Sequence, residues 1–213
     1  MWRRIAAAGA AVFVGIMWPA YACAQTAGQP EAAQARSVKG RVLTSTSLPP
    51  VRIKFARPFK YVGSQSFILY ETARAEQHFF VDADERGRIR RMYMLQFEGR
   101  LPGVEGSYNY SATQTVNLGG QPYLANSEAI PSVAAVLKAN PQSDVALAAS
   151  FLESKGYRVS ESIVFQRFVR LVDEAKRHEF ILLYVEDASA APGGEKAVRE
   201  ISGKALKSFT VLK

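Results

Sequence analysis

The sequence has very little cysteine, since Cys23 is the only one among 213 residues. It lies in a segment that we expect to be removed on export. The remaining chain would then have no thiol, which excludes a disulfide, a cysteine nucleophile and a thiolate metal ligand. A fold without these must be held together by packing of apolar side chains, and 48% of the residues are hydrophobic.

Only one long apolar run is present, from Ile5 to Trp18. A helix of that length would span about 21 Å, which is short of a bilayer core of about 30 Å. Two arginines precede the run and an Ala-Cys-Ala motif follows it, which is typical of a Sec-type signal peptide cleaved after Ala24. We therefore expect a periplasmic or secreted protein with no transmembrane segment after cleavage.

Two other interpretations of this leader remain open. The pair Arg3 and Arg4 could direct twin-arginine export, and Cys23 could carry a lipid anchor. The residues around both motifs fit poorly, because Trp2 replaces the usual polar residue and Tyr21 replaces a small one.

Dense runs of lysine and arginine with interleaved aromatic residues are absent, which argues against nucleic acid as a partner. Loss of the leader lowers the formal charge from +8 to +6. A moderately basic exported protein suits anionic lipid, polysaccharide or an acidic protein. The alternative is a positive surface that serves solubility alone.

Composition divides the chain into a signal peptide (1–24), a flexible segment rich in Ala, Gln and Gly (25–40) and a single domain (41–213). From Val51 onward, apolar and polar residues alternate as in strands. The segment from Phe180 to Val185 is apolar on both faces, which predicts a central strand.

Helices are predicted after Ser132, after Ser143 and from Glu195 to about Phe209. The strands are joined by short polar turns, such as the one ending at Gly87. These features predict an α+β fold: an antiparallel, curved sheet of about six to seven strands with two to three helices packed on one face. We expect any ligand pocket to lie between sheet and helices.

Arginines form the most notable charge concentration. They occupy one arm of the predicted hairpin and one later strand: Arg88, Arg90, Arg91, Arg167 and Arg170. If the two strands are neighbours, the guanidinium groups converge and bind an anion. The alternative is ion pairing with Glu98, Glu179 or Asp173.

Tyrosines stand in a long polar segment between Leu101 and Pro131. Tyr108 and Tyr110 there are candidates for contact with a ligand or partner, through flat rings and hydroxyl groups. They could equally cover the edge of the core. Together with the arginines, they form the set of candidate ligand-binding residues.

Signatures of catalysis, metal binding and nucleotide binding are weak or missing. The segment from Asp82 to Gly87 begins like a calcium loop, but Arg86 and Tyr93 stand where ligands belong, so we predict a hairpin turn. His78 and His178 lack metal-binding spacing. We expect no metal and no cofactor.

Carboxylates that could serve acid/base catalysis stand near strand ends: Glu98, Glu179, Glu186 and Asp187.

The leading hypothesis is a non-enzymatic periplasmic binding module for a small amphipathic or anionic ligand or an envelope partner. The first alternative is an envelope protein that has no ligand and interacts through its basic face. The second is a carboxylate-based hydrolase. An enclosed cavity would favour the binding module, and an exposed patch would favour the interaction protein. Converging titratable groups would favour the hydrolase.

Overall fold

The structure, a computed structural model, describes residues 35–110, 114–190 and 194–213. The predicted signal peptide, its cleavage site and Cys23 lie outside these residues. Within them the chain forms eleven strands and three helices. The strands are β1 (Arg36–Lys39), β2 (Val42–Ser45), β3 (Val51–Phe55), β4 (Lys60–Leu69), β5 (Ala73–Ala83), β6 (Ile89–Arg100), β7 (Gln114–Leu118), β8 (Gln121–Ile130), β9 (Ile163–Leu171), β10 (His178–Asp187) and β11 (Phe209–Leu212). The helices are α1 (Val133–Ala139), α2 (Asp144–Ser154) and α3 (Glu195–Leu206).

The larger sheet has seven strands in the order β4-β5-β6-β10-β9-β8-β7, and all neighbouring pairs are antiparallel. The α+β class and the antiparallel sheet of seven strands are thereby confirmed. β10 is the middle strand, in agreement with its apolar residues on both faces. Its central position explains why a segment without polar alternation is stable there.

The two faces of this sheet contribute to different hydrophobic cores. Successive side chains on a strand point to opposite faces. On β6, Tyr93 and Leu95 belong to one core, whereas Met92 and Met94 belong to the other. The face of Tyr93 is called the sandwich face below, and the face of Met92 is called the helix face.

The helix face is covered by α1 and α2. Both helices begin at a serine cap, because Ser132 Oγ accepts a hydrogen bond from the backbone N–H of Ala135 and Ser143 Oγ accepts one from that of Ala146. These caps are at the predicted positions. Leu152 of α2 is fully buried in the core of this face.

The sandwich face is covered by a second sheet and by α3. This sheet has four strands in the order β1-β2-β3-β11. Phe55 of β3 packs against Phe80 of β5, with ring centroids 4.2 Å apart. The hydroxyl of Tyr93 donates a hydrogen bond of 2.8 Å to the carbonyl of Ala205 in α3. Apolar contacts and a buried hydrogen bond therefore join α3 to this face.

The prediction of helices on a single face holds for α1 and α2 and is wrong for α3. The reason is the second sheet, which the sequence analysis did not anticipate. α3 leads directly into β11, and β11 pairs with β3. The helix must therefore lie on the side where β3 lies. The final helix also ends at Leu206, so Phe209 belongs to a strand.

The sequence predicted a flexible segment at residues 25–40, of which the structure describes residues 35–40. This described part is not irregular. Arg36–Lys39 forms β1, which pairs with β2 in an antiparallel register. The pattern of the two short strands is too brief to distinguish them from a polar loop. Among the described helices, none is both long and apolar enough to cross a membrane.

Candidate functional site

The strand order separates the candidate arginines. β10 lies between β6 and β9, so the arginines of β6 and those of β9 are not on neighbouring strands. The predicted convergence therefore does not occur. Arg167 and Arg170 also point to opposite faces, because three positions separate them on one strand. The guanidinium of Arg170 lies on the sandwich face, close to the hydroxyl of Tyr123. Burial raises the pKa of this hydroxyl, and the charge of Arg170 opposes that rise.

The remaining arginines are engaged in ion pairs near the β5–β6 turn. Arg88 donates to Asp187 at 2.7 Å, while Arg90 and Arg91 donate to the two oxygens of Asp82 at 2.6 and 2.8 Å. Burial opposes ionisation of Asp82, but the hydrogen bonds from both arginines outweigh it and lower the pKa of this carboxyl. The partners differ from the carboxylates that the sequence analysis considered.

Two buried carboxyls face each other on the helix face. Glu98 of β6 and Glu179 of β10 are directly opposite in the antiparallel register, and they are only 8% and 3% exposed. The hydroxyl of Tyr108 donates to Glu98 at 2.7 Å, and that of Tyr110 donates to Glu179 at 2.6 Å. The structure thus brings two candidate tyrosines onto two candidate carboxyls, which the sequence could suggest only separately.

Burial keeps these two carboxyls from ionising readily. It raises the pKa of Glu179 to about 7, helped by the nearby Glu98 and opposed by the hydrogen bond from Tyr110 and by the charge of Arg167. Burial likewise raises the pKa of Glu98, against the hydrogen bond from Tyr108. Two carboxyls this close resist carrying two negative charges at once.

A row of amides connects Glu98 to the edge of the sheet. The side-chain amide of Gln65 donates to Gln77, that of Gln77 donates to Gln96, and that of Gln96 donates to Glu98, at 2.7, 2.7 and 2.6 Å. Gln96 also donates to Asp144 at the start of α2. The sequence analysis missed these glutamines. The available signal was the polar pair Gln96 and Glu98, which stands at helix-face positions of an otherwise apolar strand.

Arg167 lies beside this network with its guanidinium held in place. Its Nε donates to Asn126 Oδ1 at 2.9 Å, and its Cζ is 5.5 Å from the ring centroid of Tyr110. Within the described residues, no protein group accepts a hydrogen bond from its two terminal nitrogens.

A cleft of about 140 Å³ opens at Arg167, and we call it the Arg167 cleft. It is lined by residues of β8 and β9 and by the tyrosine segment: Tyr110, Leu124, Ala125, Asn126, Glu128, Arg167 and Val169. It therefore combines one cation and one carboxylate with apolar side chains.

The interface between the sheet and α2 is filled by side chains. Phe79 and Leu152 are fully buried there, and Phe79 stacks on Phe151 with ring centroids 4.9 Å apart. Across the described ranges, no group of three or more His, Cys, Asp and Glu side chains is arranged to hold a metal ion. The Arg167 cleft and the carboxyl pair are thus the chemically distinctive features of the helix face.

Comparison of the chain with protein-family models, with curated proteins and with solved structures finds no match. The class that the observations define is an antiparallel α+β domain with a polar network on its helix face.

Proposed function

We propose that this protein is an exported binding module that holds a small amphipathic anion in the Arg167 cleft. The observation that carries the proposal is the guanidinium of Arg167. Asn126 and Tyr110 fix its orientation, while its two terminal nitrogens have no partner within the described residues. A carboxylate matches such a pair of N–H donors, which bind it through two parallel hydrogen bonds.

The neighbours of Arg167 reduce the cost of binding. An arginine side chain that is free in solution loses conformational entropy when a ligand orders it. Here the hydrogen bond to Asn126 and the contact with Tyr110 order the guanidinium beforehand. More of the interaction energy therefore remains as affinity.

The size of the cleft restricts the ligand. Pockets for whole drug-sized molecules measure about 300–1,000 Å³, whereas this cleft measures about 140 Å³. It holds a short carboxylate or the anionic end of a longer molecule. Leu124 and Val169 line it and contact the apolar part of the ligand.

Glu128 restricts the charge of the ligand. Its carboxylate lines the same cleft and accepts a hydrogen bond of 3.1 Å from Asn126. A second negative charge on the ligand would be repelled by Glu128. The cleft should therefore prefer a monoanion to a dianion of similar size.

The test is an NMR titration of backbone amides with isovalerate, a small branched monocarboxylate. Arg167→Gln should weaken binding at least tenfold, because loss of a charge-assisted hydrogen bond costs about 1.5–3 kcal/mol. Arg170→Gln is the matched control, since it removes the same charge three residues away on the opposite face. Isovaleramide, which is neutral, and succinate, which is a dianion, should bind more weakly than isovalerate. Equal binding by both variants would contradict the proposal.

A carboxylate-based hydrolase is the second candidate, and the facing pair Glu98 and Glu179 favours it. Two carboxyls with different tasks are a common basis of acid/base catalysis. Tyr108 and Tyr110 occupy one oxygen of each, so a substrate would have to displace the tyrosines. Chromogenic glycosides and esters test this function: hydrolysis that disappears in Glu179→Gln would favour the hydrolase, and no hydrolysis by the wild type favours the binding module.

A further inference from the structure

Every charged side chain on the outward surface of the four-stranded sheet is positive. The segments that build this sheet and its turns, Arg36–Phe55 and Phe209–Leu212, contain no aspartate or glutamate. Six cations stand on the outward surface or at its rim, and we call them the cationic sheet face: Lys39, Arg41, Arg52, Lys54, Lys207 and Lys213.

Strand alternation directs these cations away from the core. On β3, Ile53 and Phe55 are buried in the core of the sandwich face, while Arg52 and Lys54 are exposed. The register places Lys54 between Val42 of β2 and Thr210 of β11. The exposed side of this sheet therefore presents basic residues separated by short side chains.

No aspartate or glutamate side chain in the described part of the chain forms an ion pair with any of the six cations. Arg41 donates to the backbone carbonyl of Phe55, and Arg52 donates to the main-chain oxygen of the final residue, Lys213. Cations at the borders of this surface are paired instead: Arg36 with Glu76 and Lys204 with Glu186. The charge of the cationic sheet face is thus left uncompensated where neighbouring charge is neutralised.

The spacing of these cations makes them act together. Arg52 and Lys54 are two positions apart on one strand, about 7 Å, and Lys39 lies two strands away from Lys54, about 10 Å. Such distances are comparable to the Debye length of about 8 Å at physiological salt, so the charges repel one another. Contact with a surface of opposite charge relieves this repulsion and adds attraction.

We propose that the cationic sheet face docks the protein onto a bilayer that contains anionic lipid. Four strands at about 4.8 Å separation give an open surface about 15 Å wide. The concavity beside Arg41, Lys54 and Lys207 measures only about 210 Å³, which is too small to seat an extended polymer. An array of lipid headgroups can contact the cations of the outward surface together, and no insertion into the bilayer is required.

The test measures partition of the full chain onto sedimented vesicles. Neutral vesicles contain phosphatidylcholine alone, and anionic vesicles replace one third of it with phosphatidylglycerol. For each protein we compare the fraction bound to anionic vesicles with the fraction bound to neutral vesicles, as a ratio. The apolar leader is the same in the wild type and in every variant, so it does not account for differences between their ratios. Arg52→Gln combined with Lys54→Gln should lower this ratio about 25-fold, roughly fivefold for each cation near the surface. Added salt should lower the wild-type ratio in the same direction.

The matched control combines Lys138→Gln with Lys155→Gln. Both lysines are exposed at α1 and α2, beyond the opposite face of the large sheet, and the net charge changes by the same amount. This control should keep the wild-type ratio. Equal ratios for the two double variants would overturn the proposal. It would also be overturned if Arg52→Gln with Lys54→Gln lost binding to a soluble polyanion such as heparin but kept its vesicle ratio. Circular dichroism confirms that each variant folds.

Discussion

Replacing Glu179 by glutamine is expected to stabilise the protein at neutral pH. In the folded protein, burial raises the pKa of Glu179 to about 7, whereas its ordinary value, which we expect in the unfolded chain, is 4.5. The folded state therefore holds this proton to higher pH than the unfolded state does. The resulting contribution to stability is fully present below pH 4.5 and is lost as the pH rises to about 7.

The magnitude follows from the two pKa values. The difference between 4.5 and about 7 corresponds to about 3 kcal/mol. Glutamine has the shape of the protonated acid, keeps an oxygen for the hydroxyl of Tyr110 and never ionises. The variant should match the free energy of unfolding of the wild type below pH 4.5 and exceed it by up to about 3 kcal/mol above pH 7. Part of this gain arises at Glu98, which ionises as a coupled pair with Glu179.

The assay is urea unfolding followed by circular dichroism at a series of pH values from about 4 to about 8. Carboxyls with lowered pKa, such as Asp82 and Asp173, titrate in both proteins, so the difference between the two isolates the Glu179 pair. Glu153→Gln, which removes one negative charge at an exposed position of α2, should show no such pH-dependent gain. A Glu179→Gln variant less stable than the wild type at pH 8 would refute the reasoning, because Glu179 would then be stabilised as an anion.

Three further substitutions test the packing and the ion pairs by the same unfolding assay. Gly119→Ala should cost roughly 1–3 kcal/mol more than Gly120→Ala, because both have positive φ but only at Gly119 would a Cβ meet Val211, at 2.5 Å. Asp82→Asn should lower the free energy of unfolding by about 1–3 kcal/mol above pH 3.8. In that range the lowered pKa of Asp82 contributes stability, and the loss should become smaller as the pH falls further. Leu152→Ala should cost about 2–5 kcal/mol, because the side chain is fully buried. Costs below about 0.5 kcal/mol would contradict these assignments.

The long elements were predictable because local chemistry determines them. The strand β10 is recognisable from its continuous apolar residues, and the starts of α1 and α2 from their serine caps. The short strands β1, β2 and β11 were not predictable in this way. Four residues give too little periodicity, and Phe209 continues the helical spacing of Ile201 and Ala205 even though it lies in a strand.

The candidate site depends on pairing between distant strands, which local patterns do not specify. Glu98 meets Glu179 only because β10 inserts beside β6 in one particular register. The same insertion keeps Arg167 away from the arginines of β6. The arginine, the tyrosines and the carboxyls of the site were therefore foreseeable from the sequence, while the glutamines and the grouping of all these residues were not.

The pairing of β3 with β11 has a consequence for biosynthesis. In the smaller sheet, Val51–Phe55 pairs with Phe209–Leu212. The edge strand β11 is therefore synthesised long after the other three strands of this sheet. Contacts between segments so distant in sequence slow folding. Until β11 has been synthesised, β3 exposes unpaired backbone groups at its edge. Completion of the smaller sheet is thereby postponed until almost all of the described residues have been synthesised. A chain truncated before Phe209 should consequently lack a stable smaller sheet.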